Sequence, residues 1–246
     1  MIVGGAFSTA ADASALADAL VARGLEAVTV DRRGRGDSGD TKPFAPEREA
    51  EDIAAVVAAV GGSAALLGHS SGALVALLAA AHLADSGSAA GASISHLFLS
   101  EPPMRFGKDE PAADLADRLQ ALVDEGRPGD AVTTFQLEGV GLPAQMVEGI
   151  KASPLFAHLT TLAQSTVYDA AIAAATSTPD ERLLSIATPT TVLVGVETMP
   201  VLERAAPMLV ERMPSAELVR VPESKHHAID PPATAAIIAE RIPATA

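Results

Sequence analysis

Residues 66–73 read Leu66-Leu67-Gly68-His69-Ser70-Ser71-Gly72-Ala73. An apolar run over residues 64–67 leads into Gly-His-Ser-Ser-Gly, and an Ala/Leu-rich segment continues over residues 73–83. The expected local order is strand, tight turn, helix. A G-x-S-x-G run in that setting is the nucleophile-elbow pattern. The turn holds its middle residue in a strained backbone conformation, and Gly68 and Gly72 carry no Cβ to collide with neighbouring backbone. The Ser70 hydroxyl is then presented at the carboxyl end of a strand and the amino end of a helix. Without its flanks the same pentapeptide is an ordinary Gly/Ser turn; the strand, the helix and the histidines late in the chain favour the nucleophile.

Working outward toward the N-terminus, residues 25–30 form a strand ending at Asp31, followed by Arg32-Arg33-Gly34-Arg35-Gly36-Asp37-Ser38-Gly39-Asp40. On charge alone this run reads as a surface loop closed by Arg–Asp pairs. A helix starts at Pro46 and stops at Gly61-Gly62. Residues 1–3 make a short apolar strand that enters Gly4-Gly5-Ala6-Phe7, and a helix follows over residues 10–23, capped by Ser8 or Thr9 and ended by Gly24. Toward the C-terminus, residues 85–93 form a Ser/Gly/Ala-rich connection, and residues 94–100 a strand ending at Glu101-Pro102-Pro103. From 104 to 188 the strand signal disappears, and helices broken by Pro and Gly are expected over 111–126, 143–151 and 155–176. A strand over 190–196, a helix over 201–213, a strand over 217–221 and a helix over 233–241 complete the chain.

Strands alternating with helices imply an α/β fold with a doubly wound, mostly parallel sheet of about six strands. Residues 1–103 and 181–246 make the core, and residues 104–180 a small helical cap with the helix that returns to the sheet. In such sheets sites lie at the carboxyl ends of the strands. Gly5-Ala6, Asp31, Ser70, Glu101, Glu197 and His226-His227 all fall there.

The formal net charge of -14 argues against nucleic acid and anionic membrane surfaces as partners. The absence of cysteine excludes disulfide and thiolate chemistry. No segment reaches the roughly 18 apolar residues of a membrane helix, and the N-terminus lacks a signal-peptide pattern, so a cytoplasmic protein is expected. Aromatic residues are scarce at 3%, so Ala, Val and Leu must build the core. No metal-ligand spacing occurs. Gly34-x-Gly36-x-x-Gly39 matches a dinucleotide fingerprint only formally, because Pro43 intervenes before any helix. No metal and no cofactor are expected.

The combined pattern resembles the α/β-hydrolase family over essentially the whole chain. The resemblance rests on Gly4-Gly5-Ala6 after the first strand, Asp31-Arg32-Arg33-Gly34-Arg35-Gly36-Asp37-Ser38-Gly39 after the second, Gly68-His69-Ser70-Ser71-Gly72, and a late His. The chain departs from the pattern in starting without the family's usual β-hairpin, in having Gly4-Gly5 where His-Gly is usual, and in having Thr198 at or near the usual acid position. The resemblance implies the order Ser, acid, His. It implies His226 as the base that activates Ser70, with His227 one register away. His69 is expected to be structural, pointing away from Ser70. For the acid that orients the imidazole, Glu101 is favoured, because the later loop offers Thr198; Glu197 on that loop is the alternate. The oxyanion hole needs two backbone N–H donors: Ser71 and Ala6, with Phe7 as alternate by register. Phe7, Met104, Phe106, Phe135 and Tyr168 are expected to wall the substrate pocket. The implied reaction is cofactor-free hydrolysis of a small-molecule carboxylic ester or lactone through an acyl-enzyme on Ser70. The same triad also serves C–C bond, thioester or perhydrolase chemistry, and a non-catalytic ligand-binding member of the fold is the contrasting reading.

Overall fold

The computed structural model describes residues 1–87 and 91–242. The Ser/Gly/Ala-rich connection expected after the elbow helix falls partly on residues 88–90, outside the described residues. The strands are β1 (Ile2–Val3), β2 (Thr29–Val30), β3 (Ser63–His69), β4 (Ser93–Ser100), β5 (Thr190–Val196) and β6 (Ala216–Lys225). They form one parallel sheet in the order β2-β1-β3-β4-β5-β6.

Period-two alternation sorts the apolar side chains between two faces. Val3, Leu66, Leu97, Leu99, Val192 and Val194 pack into one core, and Ile2, Leu67, Phe98, Leu193 and Val221 into another. The second core is closed by α1 (Ser14–Val21) and α11 (Pro231–Arg241). The first is closed by α2 (Pro46–Ala59), α3 (Ser71–Ser86), α8 (Ala163–Thr176) and α10 (Pro200–Arg212). Helix α3 is buried along nearly its whole length, between the sheet and α2 and α8. That is why its sequence is Ala/Leu-rich all round rather than amphipathic.

The elements differ from the sequence reading mainly at their ends. The first helix is split into a 3₁₀ turn, Ala10–Ala13, and α1. Thr9 caps that turn, its N–H donating to Asp12 Oδ2 at 2.8 Å. Only Thr29 and Val30 of the expected second strand pair, because β1 offers two residues to pair with.

Between β4 and β5 the chain is helical: α4 (Leu115–Asp124), α5 (Pro128–Thr134), a π-helical turn (Phe135–Val140), α6 (Ala144–Lys151), α7 (Leu155–Thr161), α8 and α9 (Glu181–Leu184). This segment has its own apolar cluster, including Leu115, Leu119, Val132, Phe135, Leu159 and Val167, against which Ala6 and Phe7 pack. Helix α8 joins the two layers, with Ile172 in the sheet core and Val167 in the segment's own cluster. Among the described residues no helix is long and apolar enough to cross a membrane.

All strands run parallel, so their carboxyl ends share one edge. The turns there are strained: Phe7, Ser70, Glu101, Glu197, His226 and His227 all have positive φ, between 48° and 65°. Non-glycine residues in that region persist only where the surrounding structure imposes it, and they gather at functional sites.

Candidate active site

The elbow forms where β3 gives way to α3. Ser70 has φ 53° and ψ -124°, and its N–H donates to the Ser100 carbonyl on neighbouring β4 at 2.9 Å. The two flanking glycines are required by close approach. A Cβ on Gly68 would run into the Gly72 carbonyl, and one on Gly72 into the carbonyls of Val3 and Gly4.

At the end of β6 the two histidines part company. His227 Nδ1 lies 2.5 Å from Glu101 Oε2. The other carboxylate oxygen, Glu101 Oε1, accepts the Gly195 N–H at 2.9 Å. Burial alone would raise the Glu101 carboxyl, but the bonds from His227 and Gly195 outweigh it and hold the group below its ordinary value. An ionised carboxylate only accepts, so the proton between the two residues belongs to His227 Nδ1, which directs Nε2 away from the carboxylate.

The expectation that His226 meets the acid is therefore corrected. Its ring is 73% exposed, with Nε2 3.5 Å from Glu197 Oε2. Glu197 is itself 55% exposed and also faces Lys225 Nζ at 3.4 Å. The cause is one residue of register: both histidines sit in left-handed turn conformations, and only the second turns its ring inward. Glu197 does not reach His227. Thr198, beside it, lines the cleft without offering a charge.

His69 is closer to this pair than expected. Its ring packs on that of His227 at 4.7 Å between centroids, and its Nδ1 lies 3.2 Å from Ser100 Oγ. Burial, reinforced by His227, lowers its pKa to about 4, so it is neutral near pH 7. It forms a fixed neutral plate behind the His227 imidazole.

The loop after β2 departs most from its sequence reading. Arg32 and Arg35 are 5% and 1% exposed, so two of its arginines turn into the interior while residues 36–40 stay exposed. Arg32 pairs with Glu49 at 2.6 Å and Asp169 at 3.0 Å, and Arg35 pairs with Asp169 at 2.8 Å. Two guanidinium and two carboxylate groups thus cancel in the interior, which buried charges require. Burial would raise the Asp169 carboxyl, but Arg35 and Arg32 hold it below its ordinary value. The arginines also grip backbone at the elbow. Arg35 Nη1 donates to the Gly5 carbonyl at 2.6 Å, and Arg32 Nη1 donates to the Gly4 carbonyl at 3.3 Å and to Ser71 Oγ at 3.0 Å.

The family model described as "Alpha/beta hydrolase family" matches residues 2–239. The chain belongs to this family. A solved alpha/beta hydrolase from Sphaerobacter thermophilus DSM 20745 is 38% identical, with a TM-score of 0.81, over 97% of this chain and 90% of that one. A hydrolase from Pseudomonas aeruginosa PA01 is 20% identical with a TM-score of 0.66, over 97% and 87% of the two chains. An esterase from a marine microorganism is 17% identical with a TM-score of 0.61, over 98% and 94%. The last two show the fold alone. The chain matches no curated protein.

In this alpha/beta hydrolase the elbow opens on a two-lobed cleft beneath the helical segment. Ala6, Ser70 and His227 line both lobes, as do Arg105, Val140 and Met199. The inner lobe is mostly apolar, walled by Leu74, Leu115, Phe135 and Leu202 with Asp169 at its edge; the outer reaches Phe7, Gln136, Met146 and Arg204, with Asp109 and Glu197. Of the five large apolar residues expected there, Phe7 and Phe135 do line it, meeting edge-to-face at 5.7 Å. The other three are corrected. Met104 is buried in the sheet core. Phe106 packs against that core beneath the Arg212 guanidinium, 4.6 Å from its ring centroid. Tyr168 stacks on Phe44 at 4.0 Å, and its hydroxyl donates to Asp40 Oδ1 at 2.7 Å. In a chain so poor in aromatic residues, these large side chains fill core space that Ala and Val leave open. The sequence reading missed Arg105, Gln136 and Met199 at the cleft. The signal for Arg105 was present: a cation just past a strand's carboxyl end, after Glu101-Pro102-Pro103.

Proposed function

We propose that this alpha/beta hydrolase cleaves a carboxylic ester or lactone through an acyl-enzyme on Ser70, with His227 as base and Glu101 as the acid that orients it. The observation that carries the reading is the Glu101–His227 contact of 2.5 Å, braced by the Gly195 N–H, in a cleft that Ser70 also lines. A serine hydroxyl needs a base to become a nucleophile, and the base needs a fixed tautomer. With Nδ1–H given to Glu101, His227 Nε2 is free to take the Ser70 proton as Oγ attacks the carbonyl carbon. Collapse of the tetrahedral intermediate returns that proton to the leaving alcohol. Water, activated by the same imidazole, then attacks the acyl carbonyl and frees Ser70 and the acid. Residues 104–180 act as the cap that closes over the substrate.

The oxyanion donors are the Ala6 and Ser71 N–H groups, with Ser71 at the amino end of α3. Support for Ala6 comes from the peptide it shares with Gly5. In a trans peptide the N–H points opposite to the C=O. Arg35, holding the Gly5 carbonyl at 2.6 Å, therefore also sets the direction of the Ala6 N–H. Phe7, the alternate donor, lines the outer lobe only, whereas Ala6 lines both.

The test is a fluorophosphonate probe followed by peptide mapping. Label is expected on Ser70, and Ser70→Ala is expected to remove both label and ester turnover. A Ser70→Ala protein that still turns over esters at the wild-type rate overturns the reading.

A further inference from the structure

We propose that the cleft selects acyl compounds carrying a second, free carboxylate, and that the Arg105 guanidinium binds it. The proposal rests on the reading of Ser70 as the nucleophile and names the substrate class of that site: a monoester of a dicarboxylic acid, or a lactone bearing a carboxylate. The carboxylate takes no part in the bond changes.

Arg105 is a half-buried cation with no carboxylate paired to it directly; Glu110 and Asp109 act on its charge only from beyond ion-pair distance. Its Nη1 donates to the Asp109 carbonyl at 3.1 Å and its Nη2 to the Gly139 carbonyl at 2.9 Å, both uncharged backbone acceptors. Among the described residues no carboxylate lies within ion-pair distance of it. The nearby acids are engaged elsewhere: Asp109 with Arg204 at 3.4 Å, and Glu110 with the Ser177 hydroxyl at 2.6 Å and the Gly107 N–H at 3.2 Å. The buried arginines behave in the opposite way, Arg32 pairing with Glu49 and Asp169 and Arg35 with Asp169. A guanidinium held only by carbonyls is oriented but lacks a carboxylate in contact, and a ligand carboxylate supplies that contact in the geometry a guanidinium favours.

Its position gives the charge a use. Arg105 lines both lobes of the cleft, as Ser70 and His227 do. A second polar group faces the outer lobe. Gln136 is 4% exposed, and its Oε1 has no hydrogen-bond partner among the described residues. It stands on the π-helical turn whose Gly139 carbonyl holds Arg105. A carboxamide presents an N–H donor or an oxygen acceptor according to how it is turned, and an amide left open in a substrate cleft is completed by a polar ligand atom. The outer surface, at a formal net charge of -14, offers an anion no such welcome, so the discrimination has to come from inside the cleft.

The experiment compares p-nitrophenyl monoesters of succinic, glutaric and adipic acids with p-nitrophenyl butyrate, valerate and hexanoate. For the best-fitting chain length the wild type is expected to show kcat/KM about 10²-fold higher for the acid ester, mostly through KM. Arg105→Met should collapse that ratio to near one, Arg105→Lys should restore part of it, and Gln136→Leu should lower it by a smaller factor. Without any change at Arg105, glutarate should inhibit the wild type competitively where its uncharged diamide, glutaramide, does not, and it should bind Ser70→Ala by calorimetry. Equal turnover of acid and neutral esters, an unchanged ratio in Arg105→Met, or no glutarate binding overturns the proposal. Loss of the hydrolase reading looks different: no Ser70 label and no ester turnover. Glutarate binding, and its loss in Arg105→Met, then still decides the cation site.

Discussion

Glu101 and His227 meet at 2.5 Å with the carboxylate side chain 5% exposed, while Glu197 and His226 stand 3.5 Å apart at 55% and 73% exposure. The two pairs share residue types, sheet edge and backbone strain, since all four residues have positive φ. They differ in what surrounds them. The inner pair has a second donor on its carboxylate, the Gly195 N–H, and a neutral His69 ring against its imidazole. The outer pair has Lys225 and water. A contact in low dielectric with its remaining lone pairs satisfied fixes tautomer and direction; one at the surface is screened and exchanges freely.

The strongest way to break this comparison is to exchange the histidines' fates. His227→Ala is expected to lower kcat/KM by about 10³-fold or more, and His226→Ala by less than about twofold, measured on any ester the wild type turns over. Equal losses would mean that the exposed ring also reaches the reaction. Next in size are the acids. Glu101→Gln keeps the shape but removes the charge that holds the imidazole tautomer, and a loss of about 10²–10³-fold in kcat is expected, against a change within about twofold for Glu197→Gln.

Stability against pH sharpens the contrast further. His69 is shifted down from 6.5 to about 4, so between those values the unfolded chain takes up a proton that the folded one refuses. Stability should therefore be full above pH 6.5 and fall as pH drops toward 4, by roughly 3 kcal/mol, and His69→Asn should flatten that slope in denaturant melts. Glu101 and Asp169 are held below their ordinary values of 4.5 and 3.8, so the stability they contribute is full above those values and lost only at lower pH. The two windows separate the His from the carboxylates. The smallest effect belongs to the outer pair. A double-mutant cycle on Glu197 and His226 at pH 5.5 should give a coupling below about 0.5 kcal/mol that vanishes in 0.5 M salt.

What was legible in the sequence was local or periodic. The elbow, Gly68 to Gly72, is a five-residue device whose glycines are needed by backbone a few residues away or on the adjoining strand. The buried strands announce themselves as short apolar runs, and the order of strands and helices gave the sheet. Contacts across long stretches of chain were illegible. Arg35 and Asp169 are 134 positions apart, and nothing near residue 35 tells a surface loop from a buried clamp. The one hint lay far away, in Val167-Tyr168-Asp169-Ala170, a lone charge in an otherwise apolar turn of α8. Met104, Phe106 and Tyr168 were misread because size and apolarity suit a core as well as a pocket, and only the packing around them decides which.

The strained turn at Ser70 was legible in the sequence alone, since it is short-range geometry that Gly68 and Gly72 permit. The tertiary structure decided which side chains gather around it. Which histidine turns inward, which carboxylate waits for it and which arginine is left without a carboxylate all depend on the ends of strands that meet only in the folded sheet. A slip of one residue in a turn redirects a side chain completely, and residue spacing along the chain carries no record of it.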